Sequence, residues 1–301
     1  MALFLEYLFY ISLARFLSFL PHLVSLKFGE FLGVLLFTID RKHRGYTINN
    51  LRMSLGGEKT ETELREIAKG SYANLGRNFA EFSRFLNSGT NLIERYVRID
   101  GFENYLNAKA KGKGVIFLTG HCGNWELMAL AQSKMGEPLS VIGRPMDNPY
   151  LDRLINKIRA TYGNRTINKR GAIREMLRTL KEGGVIGILL DENTRLDEGV
   201  FVDFFGIPAC TNRGFANIIL KTGAPVVPAF INYEGKGHHR VVYSKELEII
   251  NIGNREKDVI ENTALFTRVI ENHIRKYPDQ WLWMLKRWKT RPAKSESESE
   301  K

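Results

Sequence analysis

The pattern of hydrophobic and polar positions changes near Tyr96, and beyond that residue it alternates between two periods. Short apolar runs give way repeatedly to stretches in which apolar residues recur at helical spacing. The runs cover residues 115–119, 139–143, 185–190, 226–230 and 240–243, and the helical stretches cover 126–135, 149–162, 172–181, 212–222 and 258–277. Such alternation is typical of an α/β fold, so the sequence predicts a central, mostly parallel or mixed sheet flanked by helices.

The first 40 residues are apolar and aromatic, and the stretches 7–14, 16–26 and 31–39 contain no charged side chain. Arg15, Lys27 and Glu30 interrupt them, so no clean run reaches the roughly 18 to 20 residues that span a bilayer as a helix. A signal peptide begins with basic residues and ends at a small-residue cleavage site. This chain has Glu6 near its start and no such cleavage site after the apolar stretches, which argues against a signal peptide. Two interpretations remain: one spanning or embedded helix over 8–26, or an amphipathic hairpin lying in the membrane interface.

Basic residues after this segment predict its orientation. Lys27, Arg41, Lys42 and Arg44 follow the apolar stretches, and the positive-inside rule then leaves the bulk of the chain in the cytoplasm. The sequence therefore predicts a membrane-anchoring segment at 1–45, a main domain at 46–292 and a disordered polar tail at 293–301. The main domain is expected to open with a helix over 60–86 that Thr60 and Glu63 begin as a capping box.

Composition narrows the functional classes without choosing one. A chain of 301 residues, 44% of them hydrophobic, can fill a sizeable core. A formal charge of +11 favours an anionic partner, whether nucleic acid, anionic lipid or an acidic carrier protein. The two cysteines, Cys122 and Cys210, are far apart in the sequence, so neither a disulfide framework nor a zinc site is expected.

A histidine and a carboxylate meet where the strand at 115–119 gives way to the helix near 126–135. Residues 121–126 read His-Cys-Gly-Asn-Trp-Glu. Five residues of ideal helix would place His121 and Glu126 about 140° apart, so the histidine is expected in the loop. Gly120 and Gly123 supply flexible backbone there, and Asn124 is a suitable N-cap for the helix that follows. Glu126 can then hold one imidazole nitrogen while the other takes a proton from a substrate hydroxyl. The plainer interpretation is a capped helix start with an incidental histidine.

Four motifs in a fixed order carry a resemblance to a known family. They are His121-x4-Glu126, Arg-Pro-Met-Asp-Asn-Pro at 144–149, Gly-Val-Phe-Val-Asp-Phe-Phe-Gly at 199–206, and Trp-Met-Leu-Lys-Arg-Trp-Lys-Thr-Arg-Pro at 283–292. In these motifs the chain resembles the bacterial late acyltransferases of lipid A biosynthesis, a family of lauroyl and myristoyl transferases within the lysophospholipid acyltransferase superfamily. The likeness runs from about residue 3 to residue 292.

The resemblance implies an activity and a location. It implies transfer of a fatty acyl chain from acyl carrier protein or acyl-CoA to a hydroxyl of a lipid A precursor, in lipopolysaccharide biosynthesis. The enzyme would lie at the bacterial inner membrane, with residues 46–292 as the acyltransferase domain on the cytoplasmic side. Neither a cofactor nor a metal is implied.

The resemblance also implies roles for particular residues. His121 would be the general base, Glu126 would complete the dyad and Arg159 would be a third catalytic residue. The sequence leaves open whether Glu126 orients the imidazole or has a more direct proton role. Arg144 follows the strand at 139–143 and should emerge at a strand end, where open α/β sheets bind their ligands. Either arginine could bind phosphate or a developing oxyanion through charge-assisted hydrogen bonds.

The candidate substrate-binding residues are Arg144, Asn124, Asp191, Asp203 and Arg213. Asp191 follows the strand at 185–190 and so also falls at a strand end. Asp203 lies in the apolar block 200–205, which by resemblance would line the acceptor or acyl site. Arg213 is expected at a helix start, where phosphate groups bind readily.

The sequence leaves open both the acceptor of the enzyme and the class of protein. The acceptor could be another glycolipid or a lysophospholipid, because chain length, carrier and acceptor depend on pockets that a sequence does not display. The different-class alternative is a basic, membrane-associated binding module that uses the tryptophans and basic residues at 281–291 as an interfacial surface. The sequence has no G-x-S-x-G elbow or P-loop. It also has no signature of a nucleic-acid-binding module, so nucleic acid is not an expected partner.

Overall fold

A seven-stranded sheet organises the computed structural model, which describes residues 1–87, 91–169 and 171–292. Its strand order is β1-β9-β8-β2-β5-β3-β4, and every neighbouring pair is parallel except β8 and β9. A separate antiparallel pair joins β6 and β7. The strands are β1 (Val97–Asp100), β2 (Val115–Thr119), β3 (Leu139–Gly143), β4 (Arg165–Asn168), β5 (Val185–Leu189), β6 (Gly199–Phe204), β7 (Ile207–Asn212), β8 (Val226–Gly235) and β9 (His238–Tyr243).

Helices cover both faces of this sheet. They are α1 (Ala2–Phe19), α2 (His22–Ile39), α3 (Arg41–Leu55), α4 (Glu61–Arg84), α5 (Leu92–Tyr96), α6 (Phe102–Lys109), α7 (Trp125–Lys134), α8 (Pro149–Arg159), α9 (Ala172–Lys181), α10 (Gly214–Thr222) and α11 (Arg255–Lys276). Alternate residues of β2 point to opposite faces, as the strand period requires. Ile116 and Leu118 pack in one core with α9, α10 and α11, whereas Val115 and Phe117 pack in a second core with α6 and α7. The predicted α/β fold, with a mostly parallel sheet between helices, is confirmed.

Local sequence patterns predicted the bounds of several elements accurately. The strands predicted at 115–119 and 139–143 and the helix at 172–181 have the bounds that the structure shows. The capping box at the start of α4 is confirmed, with Thr60 and Glu63 each bonded to the other's backbone N–H. The prediction of a helix over 212–222 was wrong at its start, because 211 and 212 pair with β6. The Asn212 side chain then accepts from the backbone N–H of Gly214, where α10 begins.

The single helix predicted over 8–26 is instead two helices. Pro21 separates them: it lacks a backbone N–H and disfavours a helical conformation at the residue before it. Leu20 is accordingly extended, with φ −68° and ψ 152°. By length and composition alone, α1 and α2 are each candidates to cross a membrane. Residue 45, where the sequence divided anchor from main domain, lies inside α3.

The C-terminal tryptophans lie in the core, so the alternative in which they form an interfacial membrane surface was wrong. Trp281, Trp283 and Trp288 are 1%, 0% and 4% exposed. Arg287 between them is fully buried and donates hydrogen bonds to the carbonyl oxygens of Glu192 and Cys210 and to the hydroxyl of Thr211. Burial lowers the pKa of Arg287 to about 10. The predicted disordered tail at 293–301 lies outside the described residues.

Candidate active site

His121 and Asp191 meet at the carboxyl edge of the sheet. Strands β2 and β5 are parallel neighbours, so the segments that follow them emerge side by side. The imidazole Nδ1 of His121 lies 2.8 Å from Oδ1 of Asp191, and the backbone N–H of His121 donates to Oδ2 at 2.6 Å. Asp191 is 1% exposed and the His121 side chain is 17% exposed. The aspartate therefore holds the imidazole from the protein side and leaves Nε2 as the nitrogen available to a ligand.

Trp281 supplies a third hydrogen bond to the same carboxylate. Its indole N–H donates to Oδ2 of Asp191 at 2.7 Å. The indole comes from the segment after α11, whose backbone also pairs with the histidine loop: Gly123 donates to the carbonyl of Gln280 at 2.8 Å. Both carboxylate oxygens of Asp191 therefore take part in hydrogen bonds. The backbone of the histidine loop is held by a segment that is distant in the sequence.

Two glycines permit this close packing. A Cβ at Gly120 would lie 2.8 Å from Oδ2 of Asp191, so only glycine lets the backbone approach that carboxylate. Gly123 has a φ of +56°, and a Cβ there would lie 1.9 Å from the carbonyl oxygen of Ile231. The histidine loop therefore needs glycine at 123 for both its conformation and its space.

Polar side chains on one face of α4 support the histidine loop. Asn78 donates to the carbonyl of Gly123 at 2.6 Å, and Glu81 accepts from the side chain of Asn124 at 2.7 Å. Glu81 is fully buried and also contacts Nε2 of His239 at 2.8 Å. Burial raises the pKa of Glu81, but the nearby His239 and the hydrogen bonds outweigh burial and hold it below its usual value. This support was not predicted from the sequence, although residues 74, 78 and 81 follow one another at helical spacing.

Glu126 does not hold the imidazole as the sequence analysis predicted. It lies in the first turn of α7 and accepts two hydrogen bonds from Arg159, at 3.0 Å from Nε and 2.5 Å from Nη2. Arg159 stands in the last turn of α8 with its side chain 26% exposed. The bidentate pair uses one side of the guanidinium and leaves the N–H groups of Nη1 for another acceptor.

The contact between His121 and Asp191 shifts the pKa values of the two groups in opposite directions. Burial lowers the pKa of His121, but the charge of Asp191 and its hydrogen bond outweigh burial and raise that pKa above its usual value. Burial raises the pKa of Asp191, and the opposing contacts with His121 and Trp281 leave it below its usual value. Burial raises the pKa of the adjacent Cys122 thiol, so Cys122 is a poor candidate for a nucleophile.

Asn124 and Asp191 have contacts other than the substrate contacts predicted for them. The Asn124 side chain caps α7 by accepting from the N–H of Leu127 at 3.1 Å, as the N-cap prediction required, and its amide donates to Glu81. Asn124 is 1% exposed. Both residues are therefore buried supports of the histidine loop rather than groups open to a ligand.

The remaining candidate substrate-binding residues are exposed and bond to near neighbours. Arg144 has a side chain 75% exposed and contacts Asp147 at 2.6 Å. Asp203 accepts from the N–H of Gly206 in the turn between β6 and β7. Arg213 donates to the carbonyl of Asp197 at 3.2 Å. Arg144 follows β3 at the carboxyl edge of the sheet, whereas the other two belong to the β6–β7 unit.

The Trp281 contact gives a testable pH dependence. Removing the indole N–H in Trp281→Phe is expected to make Asp191 more basic, because one of its stabilising hydrogen bonds is lost. A more basic Asp191 raises the pKa of His121, so the imidazole should titrate at higher pH when its resonances are followed by NMR. Trp283→Phe removes a comparable N–H that donates to the carbonyl of Pro278 and should leave the His121 titration in place. An unmoved titration in both variants would contradict the contact.

The fold and site together define an α/β protein with a carboxylate-held histidine at the carboxyl edge of a parallel sheet. A family model described as bacterial lipid A biosynthesis acyltransferase matches residues 2–290, and the chain belongs to this family. The protein is therefore an acyltransferase, and the resemblance seen in the four motifs is confirmed.

Individual relatives agree with this assignment. The chain is 28% identical over 282 residues to the lipid A biosynthesis lauroyltransferase of Escherichia coli (strain K12), a match that covers 91% of this chain and 88% of the relative. It is 23% identical over 265 residues to the lipid A biosynthesis myristoyltransferase of the same organism, covering 88% and 80%. It is also 23% identical over 275 residues to a lipid A biosynthesis acyltransferase of Haemophilus influenzae, covering 91% and 85%.

Proposed function

We propose that this protein transfers a fatty acyl chain from a carrier thioester to a hydroxyl of a lipid A precursor. One observation carries the catalytic part: Asp191 holds Nδ1 of His121, which leaves Nε2 free to take a proton from the acceptor hydroxyl. The family and the names of the relatives support the acceptor class.

The acyl transfer needs no covalent enzyme intermediate. Nε2 of His121 takes the proton of the acceptor hydroxyl as its oxygen attacks the thioester carbonyl carbon. The resulting tetrahedral oxyanion then collapses, the carbon–sulfur bond breaks, and the carrier thiolate takes the proton back from the imidazolium. The positive charge that forms on His121 faces Asp191, which stabilises it where it appears.

In the proposed mechanism Arg159 stabilises the oxyanion. Its Nε and Nη2 are fixed by Glu126, which orients the guanidinium without using Nη1. Burial lowers the pKa of Arg159, but the hydrogen bonds and charge of Glu126 outweigh it, so the pKa is raised and the arginine stays charged. In this proposal Glu126 positions Arg159, and Asp191 positions His121.

Charge supports an acidic donor or acceptor. The chain carries a formal charge of +11, and the exposed Arg144 stands at the carboxyl edge of the sheet that also carries His121. Acyl carrier protein is acidic, acyl-CoA carries phosphates and a lipid A precursor carries phosphates, so each suits a basic entrance. We propose acyl carrier protein as donor and Arg144 as a contact for phosphate or for the carrier.

The test records product mass. Purified protein is incubated with a phosphorylated lipid A precursor and with thioesters of several chain lengths on acyl carrier protein or on CoA. The expected product is heavier than the precursor by one acyl group, and a mock preparation from the same host should give none. If neither thioester gives this product, the lipid A assignment fails. Other glycolipid and lysophospholipid acceptors in the same assay then identify the substrate class.

Arg159→Lys is expected to lower kcat by about 10²-fold, the order of loss when one oxyanion donor is removed. Lysine keeps the charge but cannot hold Glu126 with two parallel hydrogen bonds and still offer a third oriented donor. The matched control is Arg153→Lys on the exposed side of the same helix, which should retain wild-type rates. Equal rates in both variants would remove Arg159 from the mechanism.

A further inference from the structure

The outer surfaces of α1 and α2 carry many exposed apolar side chains. Among the largest are Phe9, Phe16 and Phe19 on α1 and Val24, Phe31 and Ile39 on α2, between 50% and 79% exposed. Groups of large exposed apolar side chains mark interaction surfaces. The two helices meet at Pro21 and both pack mainly against α4, and we refer to residues 2–39 as the N-terminal hairpin.

Glycine contacts hold α2 of this hairpin tightly against α4. A Cβ at Gly33 would lie 2.0 Å from the carbonyl oxygen of Tyr72, and a Cβ at Gly76 would lie 1.9 Å from that of Gly29. An ion pair between Glu30 and Arg77 at 3.1 Å crosses the same interface. Backbones this close leave no space for lipid between the helices, so α2 is part of the domain along its length.

The two ends of α1 are also fixed to the domain. Near its start, Asn148 at the beginning of α8 donates to the carbonyl of Leu3 at 2.8 Å and to Glu6 at 2.9 Å. Just past its end, Arg84 of α4 donates to the carbonyl of Leu20 at 2.8 Å. An 18-residue helix is about 27 Å long. Because both ends bond to the same domain, α1 lies along its surface instead of leaving it to cross a bilayer.

A spanning arrangement would also draw polar groups into the hydrocarbon. The segment of α4 against α2 carries Asn74, Asn78 and Glu81, whose side chains support the histidine loop on the other side of that helix. Moving α2 to the bilayer centre would carry these groups and the loop with it, at a large cost in desolvation. Only the outer face of the hairpin can enter lipid without this cost.

Exposed basic side chains border the outer face of the hairpin and indicate what kind of surface it contacts. Arg15 lies between the two charge-free stretches of α1, Lys27 is 78% exposed on α2, and Arg41 and Lys42 follow the hairpin at the start of α3. Apolar side chains bordered by lysine and arginine are typical of helices that lie in the interface of an anionic membrane.

We propose that the N-terminal hairpin lies in the plane of the membrane interface and does not span the bilayer. Its outer face enters the cytoplasmic leaflet, and α4 separates it from the histidine loop. With packed helices about 8–10 Å apart, the catalytic histidine stands roughly two helix layers from the lipid. This inference rests on the proposed function for the membrane and the lipid acceptor.

Depth measurements test the orientation. Single cysteines at Phe9 and Phe31, in the middle of each helix, and at Phe19, beside the turn, carry a bimane fluorophore in phosphatidylethanolamine–phosphatidylglycerol vesicles. Quenching by lipids with spin labels at shallow and deep positions reports the depth of each. An in-plane hairpin gives one shallow depth for all three. Probes at Phe9 and Phe31 near the bilayer centre, with a shallower probe at Phe19, would overturn the proposal. The absence of quenching at all three positions would also overturn it.

Accessibility in cells provides an independent readout. A membrane-impermeant maleimide added to spheroplasts is expected to leave Ala2→Cys and Phe19→Cys unmodified, as it leaves the cytoplasmic reference Glu182→Cys. The native Cys122 and Cys210 are buried, so the unmodified chain gives the background. Labelling of either hairpin cysteine from outside would show a crossing and overturn the inference. The same variants are assayed for acyl transfer, so absence of activity with shallow depths would count against the proposed function alone.

Discussion

Replacement of His121 by alanine is expected to lower kcat/KM for acyl transfer by about 10²- to 10⁴-fold, the contribution typical of a positioned general base. Asp191 holds the imidazole at 2.8 Å, so the base is already oriented when the acceptor arrives. Without the imidazole, the hydroxyl must lose its proton to water while its oxygen attacks the thioester. The measurement is the initial rate of product formation with acyl carrier protein thioester and lipid A precursor.

His238 provides a matched control. It is an exposed histidine at the start of β9, and its ring packs against Tyr96. His238→Ala should keep the wild-type rate, which separates loss of the base from a general effect of removing an imidazole. Thermal unfolding of both variants shows whether the fold is retained. A folded His121→Ala variant with more than about one tenth of the wild-type kcat/KM would contradict the general-base role.

The sequence predicted the parts of the fold that local patterns determine. Alternating apolar and helical segments are enough to identify an α/β sheet, and residues such as Thr60 and Asn124 mark helix starts because their side chains accept from nearby backbone N–H groups. The break at Pro21 could also be predicted from the chemistry of proline, although a single helix over 8–26 was one of the two interpretations of this segment.

Sequence alone could not predict which carboxylate reaches the histidine. Glu126 is five residues from His121 and Asp191 is 70 residues away, so proximity in the chain favoured the glutamate. The strand order decides the question, because β2 lies next to β5 and brings the two following segments together. The same holds for Trp281, whose indole reaches Asp191 from the far end of the chain. Such contacts depend on the order of strands and helices, which one sequence does not display.

The interleaved tryptophans and basic residues of the C-terminal segment show a second limit. An interfacial surface and a buried core can have the same alternation of aromatic and basic residues. The structure distinguishes them through Arg287, whose buried guanidinium donates to two carbonyl oxygens and a hydroxyl. A charge buried with such partners is stable in the interior, and the sequence contains no local sign of partners 76 to 95 residues away.

Replacement of Asp191 by asparagine is expected to lower kcat by about 10³- to 10⁴-fold, as in other histidine sites where the orienting aspartate becomes an amide. Oδ2 of Asp191 accepts from two donors, the backbone N–H of His121 and the indole of Trp281, whereas Oδ1 faces Nδ1. An asparagine satisfies both donors only if its carbonyl oxygen takes the Oδ2 position. Its amide nitrogen then donates to Nδ1, which places the imidazole proton on Nε2 and blocks proton abstraction.

The pH dependence separates this role from a structural one. The neutral imidazole is the base, so activity rises with pH through the pKa of His121, which Asp191 raises despite the opposing effect of burial. Loss of that charge in Asp191→Asn lowers the pKa, and the acidic limb of kcat/KM should move to lower pH. The deficit relative to wild type should therefore narrow as the pH falls. Asp197→Asn, an exposed aspartate paired with Arg195, should change neither rate nor limb. An acidic limb that stays in place in Asp191→Asn would mean that the aspartate does not contact the imidazole during turnover, and would return the orienting role to Glu126.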